Sequence, residues 1–128
     1  TNKTQFLFRI QKGILDINDT GVNDYIKPEN QRVPFRNMIY IGDSDTDIPC
    51  MSLVNANGGH SIGVYDPFKK DKEKVYKMMR HHRIRYYAPA DYSNGSKLDT
   101  LVKQIIRKTA AYEVLEGQYI HCKYEAEE

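Results

Sequence analysis

The sequence predicts an α/β protein, a parallel sheet flanked by helices, and two observations carry that expectation. Short, almost wholly apolar runs rich in β-formers recur at 38–41, 60–65 and 84–90, the pattern of strands covered on both faces. Around and between them lie segments whose apolar residues return at helical spacing. Strands alternating with helices imply a parallel sheet with right-handed crossovers. Ligands of such sheets bind at the carboxyl ends of the strands.

Residues 3–15 carry Phe6, Leu7, Ile10 and Ile14 at helical spacing, with Gly13 near the end, and predict an amphipathic helix. Residues 16–36 hold two prolines and many Asn and Asp with no sustained period, and read as a long connection or insertion. The first strand, at 38–41, runs into the loop "GDSDTD". Pro49 sits where a helix would start and Gly58 and Gly59 where it would stop, so a helix is expected between them. "HSIGVY" follows as the second strand, closed by Asp66 and Pro67.

The stretch 70–82 predicts a third helix with Val75, Met78 and Met79 inward, and 84–90 a third strand. Ser96 with Asp99 three residues on is a capping-box start for the last helix. Leu98, Leu101, Val102, Ile105, Ile106 and Tyr112 form its apolar stripe, and 116–128 is expected to be an acidic, frayed tail.

A chain of 128 residues suits one domain that buries roughly two thirds of its unfolded surface. A net charge of +2 is too small to imply a partner. No run approaches the roughly 20 apolar residues of a membrane span, so a cytoplasmic location and no membrane partner are expected. Cys50 and Cys122 form no CxxC or Cys/His cluster, so both are expected to be reduced and no zinc site is indicated. The start at Thr1, without Met, suggests a piece of something longer.

The acidic loop is the candidate for chemistry. Asp43, Asp45 and Asp47 repel one another unless water screens them or a cation binds. An EF-hand fails, because Ile48 stands at its glycine position and Val54 at its final glutamate. A Mg²⁺ site suits the loop better, since that ion takes one or two carboxylates plus water and a phosphate oxygen. Asp43 would leave the strand into the crevice, Asp47 would fold back to the same point directly or through water, and Asp45 would face solvent or cap the helix. The competing reading is a solvated turn with a helix cap.

"MIYIGDSDTDIPCMSLV" followed by "GGHSIGVY" resembles the last signature of the haloacid dehalogenase-like hydrolase superfamily, in the order strand, GDxxxD, helix, strand. The likeness covers residues 1–112. It implies a Rossmann-like core and Mg²⁺-dependent phosphoryl transfer to and from an aspartate, with Asp43 and Asp47 as the metal-site acids and a lysine ahead of the strand. Lys3 fits that lysine, because it opens a helix. Lys27 leaves no room for one before the strand.

The nucleophile motif implied by the resemblance is missing. "LDINDTG" follows a helical segment and has Asn18 where the second Asp should be, and neither Ser61 nor another hydroxyl is well placed for the family's Ser/Thr position. The expectation is therefore the C-terminal portion of a phosphohydrolase, inactive alone, whose partners would be the N-terminal remainder of the core and a phosphorylated small-molecule substrate. The alternative is a non-catalytic metal-binding or protein-interaction domain.

Three further features read as structural. The segment 69–85 has eight Lys or Arg against two acids, but its Met and Val residues turn inward and all aromatics but Tyr76 lie outside it, so a solvated helix face is expected rather than a nucleic-acid surface. His60 reads as a turn residue with a local hydrogen bond. Ten tyrosines suggest an interface-prone surface.

Overall fold

The computed structural model describes residues 2–14, 21, 25, 27, 30–69 and 71–127. Residues 15–20 of the look-alike motif at 15–21, and most of the connection after it, lie outside the described residues. The elements are α1 (Asn2–Lys12), β1 (Ile39–Gly42), α2 (Ile48–Ala56), β2 (His60–Tyr65), α3 (Glu73–Arg80), β3 (Tyr86–Pro89) and α4 (Lys97–Ala126), with short 3₁₀ turns at Phe35–Asn37 and Asp45–Asp47. The three strands form one parallel sheet in the order β1, β2, β3, with Ile41 opposite Ile62 and Ile62 opposite Tyr86.

Strand side chains alternate between faces, and here each face has its own cover. Ile39, Ile41, Ile62, Val64, Tyr86 and Ala88 pack against Leu98, Leu101 and Ile105 of α4. On the other face Tyr40 is shared by two clusters. One joins Leu7 of α1 to Cys50 and Val54 of α2, and the other joins Met51 of α2 to Val75 and Met78 of α3. Gly63 faces α3, where an added Cβ would lie 2.9 Å from Ile84 and 3.3 Å from both Met78 and Val75. The missing side chain lets α3 and the loop after it approach the sheet closely.

Ser61 is fully buried, and its Oγ donates to the Met51 carbonyl at 2.6 Å, tying β2 to α2. Ser61→Ala removes this second donor from a carbonyl that α2 already holds in its helical ladder. Stability is expected to fall by about 1–2 kcal/mol in urea unfolding. An unchanged midpoint would show that the bond contributes nothing.

Four expectations from the sequence are corrected. The last helix does not stop near Glu116; it runs 30 residues to Ala126, with Gly117 inside it. At 1.5 Å per residue it is about 45 Å long, while strands of this length span roughly 20 Å, so its distal half has no sheet beneath it. Ile106 (53% exposed) and Tyr112 (45%) also lie largely outside the apolar seam; Ile106 follows the buried Ile105 and so turns to the next face of the helix. On α1, Leu7 is buried but Phe6 and Ile10 are exposed, because of the helix's apolar residues Leu7 and Phe8 are the ones that join the core cluster. Ser96 caps α4 as expected, its Oγ accepting from the Asp99 N–H, but Asp99 takes the Gly95 N–H rather than that of Ser96.

Cys50 is buried and Cys122 exposed, and both are free thiols. Among the described residues no helix is long and apolar enough to cross a membrane. The α3 segment keeps Val75 and Met78 inside and its basic side chains outside, with Lys74 paired to Asp45 and Arg80 to Glu73.

Candidate functional site

The carboxyl ends of the strands carry the acidic loop, as the topology requires. Gly42 is the last residue of β1, and an added Cβ there would lie 2.7 Å from Asp47 Cβ and 2.8 Å from its carboxylate. Only glycine leaves room for Asp47 to fold back beneath the strand end. The loop then turns through a 3₁₀ turn, and α2 starts with Pro49 in its first turn.

Asp47 is buried and takes five donors. Its Oδ1 accepts from Tyr40 Oη at 2.8 Å and Lys3 Nζ at 3.1 Å. Its Oδ2 accepts from the N–H groups of Asp43 at 3.2 Å and Ser44 at 3.3 Å, and from Ser44 Oγ at 3.1 Å. Burial by itself pushes this carboxyl up, but the hydrogen bonds from Tyr40, Lys3 and Ser44 together outweigh it and hold the group at about 2. The Tyr40 phenol moves the other way, raised first by burial and then by its bond to the carboxylate.

Asp43 differs in every respect. It is exposed and lines a crevice of about 360 Å³ with Val64, Tyr65, Asp66 and Phe68 at the ends of β2 and the loop beyond. Asp45 is also exposed, and its partner is Lys74 of α3 at 3.4 Å. The loop therefore presents one buried, fully bonded carboxylate and two at the surface.

The structure thus brings Lys3 and Asp47 into contact across 44 positions of sequence, and places Asp43 beside them on the crevice. Lys27 is exposed. Ser61 lies inside the sheet, and His60 begins β2 at the opposite, amino end. Tyr40 was missed in the sequence; its signal was a phenol alternating with Ile39 and Ile41 in an otherwise aliphatic strand.

Mg²⁺ is tested by the donor set. Among the described residues no group of three or more His, Cys, Asp or Glu converges to hold a metal. Asp43 offers an exposed carboxylate of the kind that ion takes together with water. Asp47 does not fit as a direct ligand while five donors occupy its two oxygens; it fits as the residue that fixes the loop and the lysine.

Lys3 is about half exposed, and such ion pairs contribute little to stability. Lys3→Met is expected to change stability by less than about 1 kcal/mol, yet to raise the Asp47 carboxyl towards the ordinary range. An NMR titration of the Asp47 carboxyl carbon reads this directly. A curve that does not move would mean that Lys3 does not hold the charge.

Comparison with known proteins gives one informative match. An uncharacterized protein of Borreliella burgdorferi is 26% identical over 98 residues. The aligned stretch takes in 77% of this chain and 33% of that protein, so the chain spans about a third of the length of the curated relative it matches. No family model matches the chain, and no solved structure matches it.

Proposed function

We propose that this chain is the C-terminal part of a Mg²⁺-dependent phosphohydrolase of the haloacid dehalogenase-like kind, with a Rossmann-like core completed by residues N-terminal to it. One observation carries this reading: Lys3 and Asp47 meet at 3.1 Å at the carboxyl edge of a parallel sheet, beside an exposed Asp43. A cation, an organising anion and a free carboxylate at one sheet edge are the parts needed to hold a phosphoryl group by position and charge.

Asp43, with water, would hold the ion, whose charge would offset that of the phosphate oxygens. Asp47 keeps its own charge down to about pH 2 and orients the Lys3 ammonium. Lys3 retains exposed N–H groups that can face a substrate anion or a nucleophile carboxylate. The nucleophile and the general acid/base would come from the N-terminal remainder. Two features leave space for it: β1 is an edge strand among the described residues, and Phe6 and Ile10 stand exposed on α1. The substrate class is a phosphorylated small molecule.

A second reading, a non-catalytic interaction domain, is favoured by the exposed Val114, Leu115, Tyr119 and Tyr124 on the distal half of α4. Phosphate release from a simple phosphate monoester by the longer protein separates the two. Turnover that needs Mg²⁺ and stops with a chelator is expected. No turnover above the metal-free level would exclude the phosphohydrolase and leave the interaction domain.

A further inference from the structure

The amino ends of the strands hold a second concavity, on the far side of the sheet from the acidic loop. It is a cavity of about 180 Å³ lined by Arg36, Asn37, His60, Lys108, Thr109 and Tyr112, with Gly58 at its edge. The first two come from the turn before β1, His60 opens β2, and the last three come from α4. Its wall is mostly apolar, but its polar groups are specifically arranged.

Arg36 and Glu113 form a two-pronged pair, Nε to Oε1 at 2.8 Å and Nη2 to Oε2 at 3.3 Å, and the Arg36 guanidinium lies 5.4 Å from the centre of the Tyr112 ring. The Arg36 bond holds the Glu113 carboxyl below its usual range, so this pair is internally neutral. Asn37 also donates to Glu113, at 2.9 Å, leaving its own Oδ1 buried with no partner among the described residues. Lys108 is different: its contact is His60 Nε2 at 3.2 Å, and it faces no carboxylate among the described residues. His60 is 1% exposed, and burial first, then the Lys108 charge, favour its neutral form. A neutral His60 accepts one Lys108 N–H, and the exposed lysine keeps its other N–H groups for solvent or a ligand. Its Nδ1 faces the Met38 carbonyl without closing a hydrogen bond.

The cavity wall is therefore mostly apolar and carries, on the exposed Lys108, one positive charge with no carboxylate partner among the described residues. A dry apolar cavity of roughly 150 Å³ accepts a benzene ring, so the space suits a body of that size. We infer that this cavity binds a small organic carboxylate with an apolar body about the size of a benzene ring, its carboxylate on Lys108 and its body against Tyr112. The site stands apart from the acidic loop, and the inference does not rest on the phosphohydrolase reading.

Benzoate is the probe, titrated into the chain and followed by amide NMR shifts of Lys108, Thr109 and Gly58. Saturable binding with a Kd on the order of a millimolar or tighter is expected for so few atoms. The neutral isostere acetophenone should bind at least about tenfold more weakly, as should benzoate to Lys108→Met, since each removes a charge-assisted hydrogen bond. Lys108→Arg should keep most of the affinity, and Asp43→Asn all of it. No saturable benzoate shift would overturn the inference, as would equal binding by acetophenone or by a folded Lys108→Met. If Lys108→Met fails to fold, the Lys108→Arg and acetophenone results still decide.

Discussion

Asp47→Asn is expected to destabilise the protein by about 2–3 kcal/mol, because it leaves buried donors facing a neutral amide. Five donors converge on the carboxylate, from Tyr40, Lys3, Ser44 and the Asp43 backbone. An asparagine oxygen can satisfy one side of that set, but its NH₂ group must then meet N–H or O–H donors on the other. For a domain of this size the loss corresponds to a fall in Tm of roughly 10 °C.

The pH dependence carries a sign of its own. The folded-state value of about 2 lies below the unfolded value of 3.8, so the unfolded chain takes up a proton first as pH falls. The stabilisation is therefore complete above about pH 4 and is lost between there and about pH 2, and with Lys3 half exposed it amounts to about 1–2 kcal/mol. Urea midpoints measured at neutral pH and near pH 3 should show that slope in the native chain and not in Asp47→Asn. A variant with native stability and native acid sensitivity would mean that the carboxylate does not organise the loop.

Asp43→Asn is expected to do the opposite. Asp43 is exposed at the crevice, so its loss should change stability by no more than about 0.5 kcal/mol. On the phosphohydrolase reading, turnover by the longer protein should fall at least about a hundredfold, since an electrostatic contributor to the reacting centre has gone. Half-maximal activity should also require more Mg²⁺. Unchanged turnover would remove Asp43 from the site, and a stability loss like that of Asp47→Asn would make it a structural residue. The two aspartates, four positions apart, are thus separable by experiment: one fails in folding, the other in rate.

Much of the fold was legible because its signals are local. The strand "HSIGVY" lies at its read position, and the other two strands agree within two residues at each end, since apolar β-formers bounded by turn residues need no distant partner to be recognised. Pro49 and Ser96 marked the starts of α2 and α4 for the same reason. The end of α4 was not legible: 116–128 looked like a tail because its acids and its Gly117 suggest solvent, but nothing there forbids helix, and the helix continues without a sheet beneath it. Phe6 and Ile10 misled in a related way, since helical spacing says which residues share a face and not whether a neighbour covers it.

The acidic loop shows the same division within six residues. By itself the sequence determined that three carboxylates stand at the end of a buried strand, that a helix follows, and that a calcium loop is excluded, because spacing and residue type decide those points. Tertiary structure alone separated the three: Asp47 inward on Lys3 and Tyr40, Asp45 outward to Lys74, Asp43 on the crevice. Nor could the sequence bring Lys108 of α4 to His60 at the other end of the sheet. Local pattern reports a residue's element, but its charge state and role depend on which distant donors the packed layers place within about 3 Å of it, and the fold sets that distance.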